Sequence, residues 1–64
     1  MDRAVYTIVR DEGEWRVAHD GARAGGYATK EAAFEAAVVA ASNAIKSGYG
    51  VQIEVPSSAE PNIG

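Results

Sequence analysis

The stretch Thr29 to Ser47, TKEAAFEAAVVAASNAIKS, constrains the fold more than any other part of the chain. It is dense in alanine, the best helix former, with glutamate, lysine and one phenylalanine between. Phe34, Ala37, Val38, Ala41, Ala44 and Ile45 recur at the i, i+3, i+4, i+7 spacing that gathers them on one side of a helix, so they are the expected core stripe. Glu31, Glu35, Ser42 and Lys46 fall together on the flank. Thr29 is the expected N-cap, its hydroxyl accepting from a first-turn N–H, and Glu31 suits the positive end of the helix dipole. The capping box is incomplete because Ala32 stands where Glu or Gln would reach back. Gly48, with Lys46 in the last turn, marks the stop.

A helix of this kind needs a sheet to cover, and the flanking segments supply strands. Ala4 to Arg10, AVYTIVR, is rich in β-branched and aromatic residues and reads as a first strand. Asp11-Glu12-Gly13 is turn chemistry. Glu14 to His19, EWRVAH, reads as a second strand, with Trp15 and Val17 on one face and Glu14, Arg16 and Ala18 on the other. Asp20-Gly21 ends it, and Ala22 to Ala28, containing Gly25-Gly26, reads as a loop leading to the helix. Beyond Tyr49-Gly50, Val51 to Val55 alternates apolar and polar as a third strand, closed by Pro56.

Strand, strand, helix, strand implies a two-layer α+β domain over residues 1–56, a three-stranded sheet with one long helix packed on one face. The first strand, apolar on both faces, is expected in the centre, giving the order 2-1-3. The third strand is expected to run parallel to the second through a right-handed crossover. The hairpin register has two solutions. A two-residue loop at Glu12-Gly13 puts Tyr6 and Ile8 on the face of Trp15 and Val17, whereas a three-residue loop with a glycine bulge puts Val5 and Val9 there. The need of a small domain for large apolar groups favours Tyr6 and Ile8. The tail, residues 57–64, has little to pack and is expected to be disordered.

With 64 residues, one domain is the upper limit, and such a chain buries only about 60% of the surface its unfolded form exposes. There is no cysteine to staple it and a single histidine, His19, among scattered carboxylates, so neither a disulfide framework nor a metal site is expected. Packing or self-association must carry the stability. The lack of cysteine fits a cytoplasmic setting. Asp2-Arg3 followed by a short strand does not read as a signal peptide, and the alanine-rich helix is too interrupted by polar residues to read as a membrane span. A net charge of -3 argues against non-specific nucleic-acid binding.

Tyr6-x-Ile8, Gly13-x-Trp15-x-Val17, Gly26-Tyr27-x-Thr29-Lys30-Glu31-Ala32 and Val51-x-Ile53 together resemble a group of short bacterial strand-strand-helix-strand domains of unknown function, with a W-x-V strand and a T-K-x-E-A helix start. The likeness covers about residues 4 to 55 and implies a fold without an activity. Gly26 to Ala32 alone also resembles the helix start of the arm-site DNA-binding domain of tyrosine recombinases, in which a three-stranded sheet enters the major groove. That domain is basic and has its three strands before the helix, whereas this chain is acidic and is expected to place its third strand after it.

His19-Asp20, with Ser42, Ser47, Ser57 and Ser58 elsewhere, contains the letters of a catalytic triad without its geometry, and His19 is expected to be structural or solvated. Gly21 to Gly26 precedes a helix start but matches no phosphate-loop pattern. Arg3, Arg10, Arg16, Arg23, Lys30 and Lys46 are dispersed among acids. Trp15 is expected in the core rather than in a base-stacking platform with Tyr6, Tyr27 and Tyr49. Ala32, Ala36, Val39 and Ala40 form a small-residue back of the helix against which a second helix could pack. No catalytic, cofactor-binding or metal-binding residue is expected, and no cofactor. The expected function is a non-enzymatic interaction or binding module that self-associates, most simply as a homodimer through the uncovered sheet face, or binds a protein partner there. The alternative is a nucleic-acid-binding domain using that same face.

Overall fold

The computed structural model describes residues 2–57 and is an α+β domain with one helix and a four-stranded sheet. The elements are β1 (Arg3–Asp11), β2 (Glu14–His19), β3 (Ala22–Tyr27), α1 (Lys30–Lys46) and β4 (Gly50–Glu54). The sheet order is β3-β2-β1-β4, with α1 packed across one face. Most of the expected tail, residues 58–64, lies outside the described residues.

The β1–β2 hairpin takes the two-residue solution. Asp11 pairs with Glu14 and Ile8 with Val17, while Glu12 and Gly13 both have positive φ (54° and 83°), as a type I′ turn requires. Tyr6, Ile8 and Val17 are accordingly buried against the helix, and Trp15 packs half-buried beside them.

Three expectations are corrected. The sheet has four strands rather than three, because the segment expected to be a loop is β3. Asp20 and Gly21 repeat the positive-φ pair (52° and 80°), so His19 pairs with Ala22 in a second two-residue hairpin. The chain order is therefore β-β-β-α-β. The second strand is not an edge, since β3 covers it. Finally, β4 runs parallel to β1, and hence antiparallel to β2, not parallel to it. A helix that returns the chain to β1's free side delivers the next strand in β1's own direction.

A bulge lets so glycine-rich a strand as β3 pair with β2. Between the pairs Trp15–Tyr27 and Val17–Ala24, β3 carries one residue more than β2. Gly25 sits there at φ +83°, and the Tyr27 ring folds back over its Cα so closely that a Cβ would overlap it. Ala24 and Tyr27 thereby both face the helix layer.

The helix is capped as its sequence implies. Thr29 Oγ1 accepts from the Ala32 N–H at 3.1 Å. At the other end, Gly48 N–H donates to the Ile45 carbonyl and Tyr49 N–H to the Ala44 carbonyl, with Gly48 at φ +94°, which is a Schellman closure.

The buried face of the helix is a fourth correction. Ala33, Ala37 and Ala41 are buried, and Ala36, Ala40 and Ala44 pack beside them, while Phe34, Val38 and Ile45 are exposed. Val55, the last apolar residue of the expected third strand, is exposed too. The sheet supplies the bulk of the interlayer as Tyr6, Ile8, Trp15 and Val17, so the helix meets it with its smallest side chains. Of the residues expected at the back, Ala36 and Ala40 lie toward the sheet, and Val39 is exposed. Among the described residues, no helix is long and apolar enough to cross a membrane.

Candidate functional site

The two faces of the sheet edge differ in chemistry. Alternation from the buried residues places Val5, Thr7, Val9, Arg16, Ala18, Arg23, Gln52 and Glu54 on the open face. Its polar groups engage each other. Arg23 Nη1 lies 2.9 Å from Asp11 Oδ2, Arg16 Nη2 donates to Glu14 Oε1 at 3.1 Å, and Arg16 also donates to the Gly25 carbonyl. Arg3 donates to Gln52 Oε1 at 3.1 Å, and Gln52 in turn donates to Glu54 at 2.7 Å. The apolar content of this face is Val5, Val9 and Ala18, set within that polar lattice. The aromatic rings of β1, β2 and β3 (Tyr6, Trp15, Tyr27) all belong to the helix side. Arg10 and Lys30 stand over the Trp15 ring, 5.5 and 5.9 Å from its centroid.

His19 stacks on Tyr6 with centroids 4.4 Å apart, and its Nδ1–H donates to the Val5 carbonyl at 2.9 Å. Its Nε2 lies 3.5 Å from Asp20. The ring thus continues the β1–β2 contact past the last paired residues. Ser42 is exposed on α1, Ser47 is its C-cap, Ser57 follows Pro56 beyond β4, and Ser58 lies outside the described residues, so the structure does not assemble these letters around His19. A polar cleft of about 420 Å³ opens beside it, lined by Asp2, Arg3, Tyr6, Asp20 and Tyr49 among others. Gly21 and Gly25 serve the second hairpin turn and the bulge. Among the described residues, no group of His, Asp and Glu side chains is arranged to hold a metal.

A run of exposed large apolar side chains lies on the helix side, beside β4. Ala36 and Ala40 line a depression with Ala22, Ala24 and Tyr27, which fixes that flank of α1 over β3. Phe34, Val38 and Ile45 occupy the opposite flank and so lie over β4. They are 39%, 43% and 61% exposed, and Val55 just past the end of β4 is 44% exposed. Val51 and Ile53, half-buried, point to the same side. The site is therefore a strip of large aliphatic and aromatic groups along one side of the domain, bordered by β4, whose outer edge pairs with no strand among the described residues. Sequence reasoning placed Phe34, Val38 and Ile45 together correctly and gave them the wrong environment.

Comparison with protein-family models gave no match, nor did comparison with curated proteins or with solved structures. The two resemblances drawn above rest on their residues alone. Three strands precede the helix and a fourth follows it, so the strand order differs from the strand-strand-helix-strand pattern of the first resemblance and matches the recombinase pattern only up to the helix. The acidic balance remains.

Proposed function

We propose that this chain is a non-enzymatic protein-interaction module and that its contact surface is the β4 side, formed by Phe34, Val38, Ile45 and Val55 with the edge of β4. The observation that supports it is the placement of large apolar side chains on the outside of a domain whose helix buries only alanines. A domain this small has little apolar area to spare, and leaving its only phenylalanine 39% exposed is explicable when a partner covers it. The open sheet face, the surface expected from sequence, is the weaker candidate because its valines are interleaved with hydrogen-bonded charges.

Photo-crosslinking in the cell tests the reading. A photoreactive amino acid at position 38 or 45 should give protein adducts, whereas one at position 7 or 23 on the open face should not. Adducts confined to positions 7 and 23 would overturn it.

One observation favours a second reading, DNA binding by the open face: three strands precede the helix, as in the arm-site domains that part of this sequence resembles. Against it, Arg16 and Arg23 are engaged by Asp11 and Glu14, and the net charge is -3. Tight binding to generic duplex DNA that falls steeply with added salt would establish this reading in place of the first.

A further inference from the structure

We infer that the partner on the β4 side is a second copy of this chain, joined by antiparallel pairing of β4 with β4 about a two-fold axis through Gln52. The inference rests on the proposed function and names its partner.

The backbone sets the register. Gly50 N–H donates to the Asp2 carbonyl at 3.1 Å. In a parallel ladder the alternation then turns the backbone groups of Gly50, Gln52 and Glu54 toward β1 and leaves those of Val51 and Ile53 directed outward. These outward residues are symmetric about Gln52. Antiparallel pairing centred there puts Val51 of each copy opposite Ile53 of the other, and each such pair exchanges both N–H···O=C bonds. Glu54 falls opposite Gly50, so no like charges meet along the strands. The edge is short and ends in Glu54, but β4 contains no proline, lysine, arginine or bulge to block pairing. The other edge, β3, is distorted by its Gly25 bulge and carries Arg23.

The helix flank fits the same axis. Lys30, at the start of α1, donates to the Pro56 carbonyl beyond one end of β4, and Gly50 follows closely on the helix end, so Gln52 lies within about one turn of the level of α1's middle. A two-fold axis at that level sets the helices antiparallel above the joined sheet. Phe34 of each copy then lies toward Ile45 of the other, Val38 lies near the axis, and Glu31 at one end comes toward Lys46 at the other. The flank is self-complementary in charge as well as in apolar content.

Phe34, Val38, Ile45 and Val55 leave on the order of 300 Å² of apolar surface open. The rest of the roughly 800 Å² per partner of a standard interface would come from the β4 edge and the polar residues around it. The product is a continuous eight-stranded sheet with both helices on one face.

The test uses the purified chain. Sedimentation across concentration should show a species of twice the 6.7 kDa monomer mass. Ile45→Lys and Val38→Glu should each weaken association by about tenfold or more, while Val5→Lys on the open face should not. Hydrogen exchange supplies a readout specific to the register. The Val51 and Ile53 amides should be unprotected in dilute protein and protected in concentrated protein, with Gln52 and Glu54 protected in both. A monomer at several hundred micromolar would overturn the inference. So would a dimer broken by Val5→Lys with Val51 and Ile53 unprotected. If the purified chain is monomeric while positions 38 and 45 still crosslink to a different protein, the interaction reading stands and the second copy is refuted. If those positions crosslink to nothing, the interaction reading itself fails.

Discussion

The inward face of α1 carries Ala33, Ala37 and Ala41, all buried, while the flank beside β4 carries Phe34, Val38 and Ile45, all exposed. Both sets follow helical spacing, and they sit only a fraction of a turn apart. The difference lies in what they meet. The alanines lie over Tyr6, Ile8 and Val17, which already fill the space between helix and sheet. The larger side chains lie over β4 at the edge of the sheet, where no described residue of this chain covers them. Volume complementarity, rather than hydrophobicity alone, decides which face a helix buries. The surplus apolar side chains are then available for association.

Substitutions on the two faces should separate sharply. The largest loss is expected at Ile8, the most deeply buried large side chain, under the alanine face. Ile8→Ala should cost about 2–5 kcal/mol in denaturant unfolding, enough to unfold much of so small a domain. Ala37→Leu, which inserts volume where there is none, should cost about 1–3 kcal/mol by the same measurement. If Leu were accommodated without loss, the helix would not be seated as described.

Phe34→Ala sharpens the comparison. Were Phe34 the centre of the core, its loss would cost about 3–5 kcal/mol. On the exposed flank it should cost about 1 kcal/mol in dilute protein, where the chain is unassociated. Smallest is Val38→Lys, expected to leave the melting curve of dilute protein within about 0.5 kcal/mol of the parent. A large destabilisation there would mean that the two faces of α1 had been exchanged.

Much of this architecture is local and could be read from the chain. Thr29 and Gly48 mark the helix ends because capping groups act within one turn. The preference for large core residues favoured, of two registers open to β1 and β2, the one that the Glu12-Gly13 turn adopts. The same logic was available at Asp20-Gly21, an Asp-Gly pair that is among the strongest hairpin signals. It was obscured because ARAGGY, rich in alanine and glycine, has little strand propensity of its own. That segment is a strand because β2 offers it an edge and a bulge lets Gly25 and Tyr27 fit.

The candidate surface was half legible. That Phe34, Val38 and Ile45 share a side of the helix follows from spacing. That this side faces outward does not, because the chain carries two adjacent apolar stripes and nothing local ranks them.

The sequence by itself determined the existence and limits of the long helix, the first hairpin, and the class of the fold, and it narrowed that hairpin's register to two. These depend on interactions between residues close in the chain, or on a two-residue alternation that one turn sets. Tertiary structure alone decided that β3 joins the sheet, that β4 lies parallel to β1, and that alanines rather than Phe34 meet the core. Each of those choices compares the volumes and free edges of elements distant in sequence, and no local pattern contains that comparison.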